Sequence, residues 1–263
     1  MASSEATISQ IYHVVLPLLL RAGQILHTRQ KDLFGLAPKS RHESGQAIEE
    51  EIKSFLSSTL VQLFPKHSVY DPDKPTNGEA VPWQWLVTPL DGRRYYFRGL
   101  PLYTVSLALK HEGEIVLGMV AEPATQIVFH SLKGEGAFMG ERPIKVSEEK
   151  ALAKACIYMF SVPTKASNDI RQKFIRTDAR VYDFGVNTLG LCYAAAGVFD
   201  AFVGFQEAGA LPGMAAALVV AKEAGALISD GEGKVLRSKS VSDIIIVTAP
   251  GIKKQCLDIL QKY

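Results

Sequence analysis

The chain has 263 residues, 47% of them hydrophobic, so it is long enough to bury one large core or two closely packed subdomains. Its 29 lysines and arginines nearly balance its 27 aspartates and glutamates, which argues against a nucleic-acid-binding or membrane-binding surface. The three cysteines have neither a metal-binding spacing nor a disulfide pattern, and the apolar stretch 14–20 is too short to span a bilayer. We therefore expect a protein of the reducing cytoplasm.

Helical periodicity dominates the beginning of the chain. Apolar residues recur at helical spacing over residues 5–30 and again over 47–63, where Phe64-Pro65 ends the pattern. Between these two helices, the polar segment 31–46 contains glycines and a proline, which predicts a loop or hairpin. Residues 71–82 are rich in turn formers and acids, so they predict a second loop.

Strands follow one another in the middle of the chain. The apolar run 85–87 predicts a strand that stops at Thr88-Pro89, and Asp91-Gly92 then turns the chain toward a strand at 102–109. Further strands are predicted at 115–121, 126–131, 180–182, 199–203, 226–229 and 244–249, and further helices at 188–196, 214–224 and 252–260. Consecutive strands joined by short turns favour a layered α/β (α+β) fold with mixed or antiparallel sheets over a doubly wound parallel sheet.

An acid, a glycine and two arginines lie together in the turn after the strand at 85–87. They are Asp91, Gly92, Arg93 and Arg94. Ligands of α/β proteins bind where strands end, and backbone N–H groups in a turn suit an anion. This turn is therefore the first place to look for a binding site.

The stretch around this turn resembles the signature of the inositol monophosphatase family, W-[VIL]-x-D-P-[IL]-D-G-T-x-N-[FY]. The matching residues are Trp85, Pro89, Leu90, Asp91, Gly92 and Tyr96, and the segments 134–147 and 214–225 are also similar to the family. The resemblance implies an αβαβα sandwich in one compact unit. Its N-terminal α+β subdomain, residues 1–150, would carry the signature, and residues 151–263 would form a C-terminal α/β subdomain. Because the family is commonly dimeric, a homodimer is possible.

Three positions depart from the family in a way that bears on chemistry. Family members hydrolyse phosphomonoesters with Mg²⁺ ions that carboxylates hold. Compared with the family motifs, this chain has Gly45, Thr88 and Gly213 where metal-binding aspartates stand. The resemblance therefore implies that most of the Mg²⁺ ligands are lost.

Few candidate Mg²⁺ ligands remain, and two arginines add positive charge beside them. The resemblance keeps Asp91, allows a carbonyl ligand at Leu90, and places Asp71 where the family has a glutamate. Arg93 and Arg94 stand where the family has threonines or similar small residues. Like charges this close repel strongly, so we expect no bound metal cofactor.

The first interpretation is a family member that is phosphatase-inactive or repurposed and binds a small anionic ligand, phosphorylated or carboxylate, in the old cleft. Arginine is a strong partner for either group, so the two arginines would take over charge neutralisation from the metals. The residues expected at this ligand are Thr88, Gly92, Arg93, Arg94 and Glu207, together with Asp71. The opposite possibility is that the arginines point to solvent, or pair with Asp71 and Asp91.

Two enzymatic alternatives stay open. One is an active Mg²⁺-dependent phosphomonoesterase on inositol or sugar phosphates, with a reduced site built from Asp71, Asp91, Glu79 and Glu43. The other is a metal-free reaction in the same cleft, with Asp91 as general acid or base. No nucleic acid and no membrane is expected as a partner in any of these interpretations.

Overall fold

The computed structural model describes residues 7–70, 82–160, 164–205, 211–236 and 244–260. The helices are α1 (Ile8–Arg29), α2 (Pro38–Leu63), α3 (Arg93–Tyr96), α4 (Lys165–Ile175), α5 (Asn187–Ala195), α6 (Leu211–Glu223) and α7 (Lys253–Leu260). The strands are β1 (Ser68–Val69), β2 (Trp83–Asp91), β3 (Thr104–His111), β4 (Glu114–Glu122), β5 (Ile127–Leu132), β6 (Gly136–Met139), β7 (Arg142–Ile144), β8 (Cys156–Phe160), β9 (Arg180–Tyr182), β10 (Ala201–Phe205), β11 (Leu227–Asp230) and β12 (Ile244–Thr248).

The strands form two sheets. The first sheet has seven strands in the order β1 to β7, antiparallel throughout except that β1 runs parallel to β2 at the edge. The second has five strands in the order β11-β12-β10-β8-β9, with parallel and antiparallel pairs. The predicted mixed, layered fold is confirmed.

Successive side chains along the strands of the first sheet point to opposite faces, and helices pack against both faces. Trp85 and Leu107 point to the face that α1 and α2 cover, whereas Leu86 and Ala108 point to the opposite face, against α5 and α6. The second sheet packs on the other side of α5 and α6, and α4 and α7 cover its outer face. The layers are therefore α, β, α, β, α, as the family resemblance implies.

Two boundaries near the predicted site were wrong. Helix α2 begins at Pro38, so residues 38–46 are helical and not a loop. Proline suits the first helical position because its missing N–H has no partner to bind there. Strand β2 continues through Pro89 to Asp91, with a register shift between Thr88 and Asp91, and proline is tolerated at such an irregularity.

Several elements had no prediction, among them one strand and one helix in the C-terminal half. Strand β8 and helix α4 lie in the region 148–175, which the sequence left unassigned. Thr164 caps α4 by accepting a hydrogen bond from the amide of Ser167 at 3.1 Å, a signal that the sequence does contain. The subdomain boundary at residue 150 stays a prediction. In the parts of the chain that the structure describes, no helix is long and apolar enough to cross a bilayer.

Candidate functional site

The predicted turn after β2 requires its glycine. Gly92 has a φ of 88°, in the left-handed region, and a Cβ there would overlap the carbonyl oxygen of Leu102. The turn leads directly into the short helix α3, and the amides of Tyr95 and Tyr96 donate to the Gly92 carbonyl. Asp91, Arg93 and Arg94 therefore leave the turn in fixed directions.

Asp91 caps helix α5. Its Oδ2 accepts hydrogen bonds from the amide of Thr188 at 2.9 Å and from the Thr188 hydroxyl at 2.8 Å, and its Oδ1 accepts from the amide of Gly92 at 2.9 Å. Burial raises the pKa of Asp91, while these hydrogen bonds act to lower it. The carboxylate is thus engaged with the protein itself, at the place where the resemblance puts a metal ligand.

Two of the positions where the family has aspartates contact each other. The hydroxyl of Thr88, near the end of β2, donates to the backbone carbonyl of Gly213 at 3.1 Å. Gly213 lies in the first turn of α6, and the space where its Cβ would be is open. A threonine–carbonyl hydrogen bond therefore stands where the family resemblance places two metal-binding carboxylates.

Gly45, the third position where the family has an aspartate, has no room for a side chain. Gly45 lies inside α2, and a Cβ there would overlap the ring of Phe97. Phe97 is buried at the end of the α3 turn, and the ring of His42 packs against it edge-on at 5.4 Å between centroids. An aspartate at position 45 would need Phe97 to move.

Arg93 pairs with a buried glutamate that the sequence analysis missed. Its Nε donates to Oε1 of Glu49 at 2.9 Å, and its Nη2 donates to the same oxygen. The Glu49 side chain is 10% exposed and that of Arg93 is 63% exposed. Burial raises the pKa of Glu49, and Arg93 opposes that shift. The expected alternative that Arg93 pairs with Asp91 is wrong, because its partner is on α2.

Arg94 has a different environment from Arg93. It is exposed, and no described residue forms a hydrogen bond or ion pair with its side chain. Its backbone carbonyl accepts a hydrogen bond from Nη1 of Arg98 at 3.1 Å. The expected role of Arg94 at the ligand therefore stays a prediction.

A cleft of about 1210 Å³ lies between α2, the edge strand β1, its neighbour β2 and the start of α6. Thr88, Leu90, Arg93 and Gly213 line it, whereas Gly92 and Arg94 are not among its lining residues. Its charged lining residues are Glu49, Glu50, Lys53, Arg93 and Lys110. Asp71 and Glu207, also expected at the ligand, lie outside the described residues, as does Glu79, a candidate Mg²⁺ ligand in the phosphomonoesterase alternative, so their contribution stays a prediction.

The described residues supply few of the carboxylates that the family resemblance implies at a Mg²⁺ site. Within the described ranges, no three or more His, Cys, Asp or Glu side chains come close enough to hold a metal ion. Asp91 already accepts donors on both oxygens, and Glu49 is paired with Arg93. Hard divalent cations bind several oxygen ligands at one point. The contribution of Asp71 and Glu79, which lie outside the described residues, stays a prediction.

Comparison with known proteins decides the family. The model of the inositol monophosphatase family matches residues 7–262. The chain belongs to the inositol monophosphatase family. The resemblance that the signature region suggested is therefore confirmed over nearly the whole length.

Similar proteins have more than one described role. Over 92% of both chains, this member of the family is 27% identical to the Nus factor SuhB of Pasteurella multocida. It is 34% identical to an inositol-1-monophosphatase of Rhizobium meliloti over 155 residues, 57% of this chain and 58% of that one. An IMPase of Thermotoga maritima has the same fold, with a TM-score of 0.82 at 23% identity over 96% of this chain and 97% of that one.

Proposed function

We propose that this member of the inositol monophosphatase family has no Mg²⁺-dependent phosphatase activity and binds a small anionic ligand in its cleft. The observation that carries the proposal is the hydrogen bond between Thr88 Oγ1 and the carbonyl of Gly213. By the family resemblance, both residues occupy positions of metal-binding aspartates, Thr88 in the signature and Gly213 in a later motif, and neither brings a carboxylate. Phosphoryl transfer with Mg²⁺ depends on carboxylates that act together, so their joint absence is stronger support for lost activity than a single substitution would be.

Two of the three other acidic positions, Gly45 and Asp91, support the same proposal. The Phe97 ring fills the space next to Gly45, and the Asp91 carboxylate caps α5. An aspartate at position 45 would therefore also require Phe97 to move.

The charges that line the cleft favour an anion. Arg93 and Glu49 neutralise each other, which leaves Lys53 and Lys110 against Glu50. Both lysines are half-buried, so water screens their charge less than it would at the surface. Serine hydroxyls at the same wall, from Ser54, Ser57 and Ser68, would suit the hydroxyl groups of a polyol.

Phosphate release from a panel of inositol and sugar phosphates tests the first half of the proposal. We expect no release above background with Mg²⁺ present, beside an active inositol monophosphatase as the assay control. Thermal unfolding tests the second half, because a ligand that binds only the folded protein raises the melting temperature. We expect phosphorylated polyols to raise it equally with Mg²⁺ and with a chelator. Mg²⁺-dependent release of phosphate would contradict the proposal and support the phosphomonoesterase alternative.

A further inference from the structure

We propose that Arg93 binds the anionic ligand through the edge of its guanidinium formed by Nη1 and Nη2, and that Glu49 is the positioning residue that holds this edge toward the cleft. The ligand class is an oxyanion with two oxygens available side by side, either a phosphomonoester or a carboxylate. This inference rests on the proposed function and goes further by assigning the contact to one atom group.

The hydrogen bonds of Arg93 leave this edge free. A guanidinium has five N–H donors arranged in a planar fork. Nε and Nη2 donate to Oε1 of Glu49, so the guanidinium edge formed by Nε and Nη2 is already hydrogen-bonded. No described residue accepts a hydrogen bond from Nη1, and Arg93 lines the cleft with 63% of its side chain exposed. The Nη1–Nη2 edge can therefore form the paired hydrogen bonds that arginine makes with carboxylate and phosphate.

Glu49 is a rigid anchor. It is buried in the middle of α2, one helical turn after Gly45, and its neighbours Ile48 and Ile52 are fully packed in the core. An arginine bound to such a glutamate has little rotamer freedom left to lose when a ligand binds. A lysine at position 93 would keep the charge but could not present two parallel donors.

The same pairing makes anion binding depend on pH. Glu49 carries a negative charge beside the ligand, and the charged groups that face it are Arg93 from the turn and Glu50 and Lys53 from α2. Burial raises the pKa of Glu49 above its usual value. As the pH falls toward that pKa, Glu49 gains a proton and no longer offsets the charge of Arg93. Anion binding should then become tighter at lower pH.

Arg94 provides the matched control. It is the neighbouring arginine on the same short helix, it is exposed, and it does not line the cleft. Replacing it changes the net charge by the same amount as replacing Arg93. Any difference between the two replacements therefore reports the position of Arg93 and not the overall charge of the protein.

Isothermal titration calorimetry with inorganic sulfate, inositol 1-phosphate and glucuronate tests the inference, with sulfate as the probe whose own charge does not change with pH. We expect Arg93→Ala and Arg93→Lys each to weaken binding by about tenfold or more, and Arg94→Ala to change it by less than about twofold. Glu49→Gln should tighten sulfate binding near neutral pH and remove the pH dependence. A preference for inositol 1-phosphate or for glucuronate identifies which oxyanion the cleft takes.

The possible failures can be told apart. If the wild-type protein binds none of the three anions, the proposed function itself is wrong. If it binds them and Arg93→Ala binds equally well, only the assignment to Arg93 is wrong. Wild-type affinity in Arg93→Lys would overturn the paired-donor geometry, and an unchanged pH profile in Glu49→Gln would overturn the role of Glu49. Arg93→Lys keeps the folded state testable if Arg93→Ala unfolds.

Discussion

The hydroxyl of Thr88 donates a hydrogen bond to the backbone carbonyl of Gly213 at 3.1 Å, which ties the end of β2 to the first turn of α6. These elements come from distant parts of the sequence, and they meet at the wall of the cleft. The bond therefore contributes to the stability of the very region where the family places its metal ions.

Replacing Thr88 by valine should destabilise the protein. The variant keeps the side-chain shape but leaves the Gly213 carbonyl without its partner, which costs about 1 kcal/mol of unfolding free energy. Urea unfolding measures the change, and Thr88→Ser, which retains the hydroxyl, is the control. If the valine variant is as stable as the serine variant, the hydrogen bond does not contribute.

Replacing Gly45 by alanine should show strong coupling to Phe97. In the wild-type background the new methyl group overlaps the Phe97 ring, and overpacking of this kind costs roughly 1–3 kcal/mol. In a Phe97→Ala background the overlap is gone, and alanine should stabilise α2 by about 1 kcal/mol relative to glycine. A double-mutant cycle from chemical unfolding measures the coupling. Equal effects of Gly45→Ala in both backgrounds would show that the ring does not fill this space.

Replacing Gly213 should be tolerated and even favourable. Nothing lies within 4 Å of the place where its Cβ would be, and the residue is helical. Gly213→Ala should raise the unfolding free energy by about 0.5–1 kcal/mol. Gly213→Asp should be stable as well, because an acid in the first turn of a helix interacts favourably with its dipole. A clear loss of melting temperature in both variants would indicate that the backbone there requires glycine.

Asp91→Asn should destabilise the protein even without a catalytic role. The asparagine side chain has one acceptor oxygen instead of two, so a donor from either Thr188 or Gly92 loses its acceptor. This loss costs roughly 1–3 kcal/mol of unfolding free energy. The pH dependence has a defined sign. Because burial raises the pKa of Asp91 in the folded state, the folded state holds its proton more tightly than the unfolded state.

The stabilisation that Asp91 provides relative to asparagine should therefore shrink as pH rises from about 4, the usual value for an aspartate, through the raised pKa. Unfolding of both proteins across this range measures the difference. A difference that grows with pH would mean that the hydrogen bonds from Thr188 outweigh burial, so that the pKa of Asp91 is lowered and not raised.

The layered fold was predictable because its signals are local. Apolar residues at helical spacing identified α1, and continuous apolar runs identified the buried helix α6 and strands such as β4. The start of α2 was mispredicted because Gly45 within a polar segment is typical of a loop. What allows a glycine in this helix is its contact with Phe97, which is distant in sequence.

The site was predictable only in part, for the same reason. The signature identified the turn and its arginines, yet nothing local connects Arg93 to Glu49, which lies 44 residues earlier. Glu49 looks like an ordinary helix glutamate unless its position on the buried side of α2 is known. Its burial, between Ile48 and Ile52, is a signal that helical periodicity could have provided.

The proposed loss of the Mg²⁺ site can be tested most directly by calorimetric titration of Mg²⁺ into the wild-type protein. We expect no saturable heat at millimolar Mg²⁺, because Thr88 and Gly213 bring no carboxylate and Asp91 is engaged at α5. An active inositol monophosphatase titrated under the same conditions is the control. Saturable Mg²⁺ binding that Asp91→Asn abolishes would contradict the loss of the metal site and would support an active phosphomonoesterase.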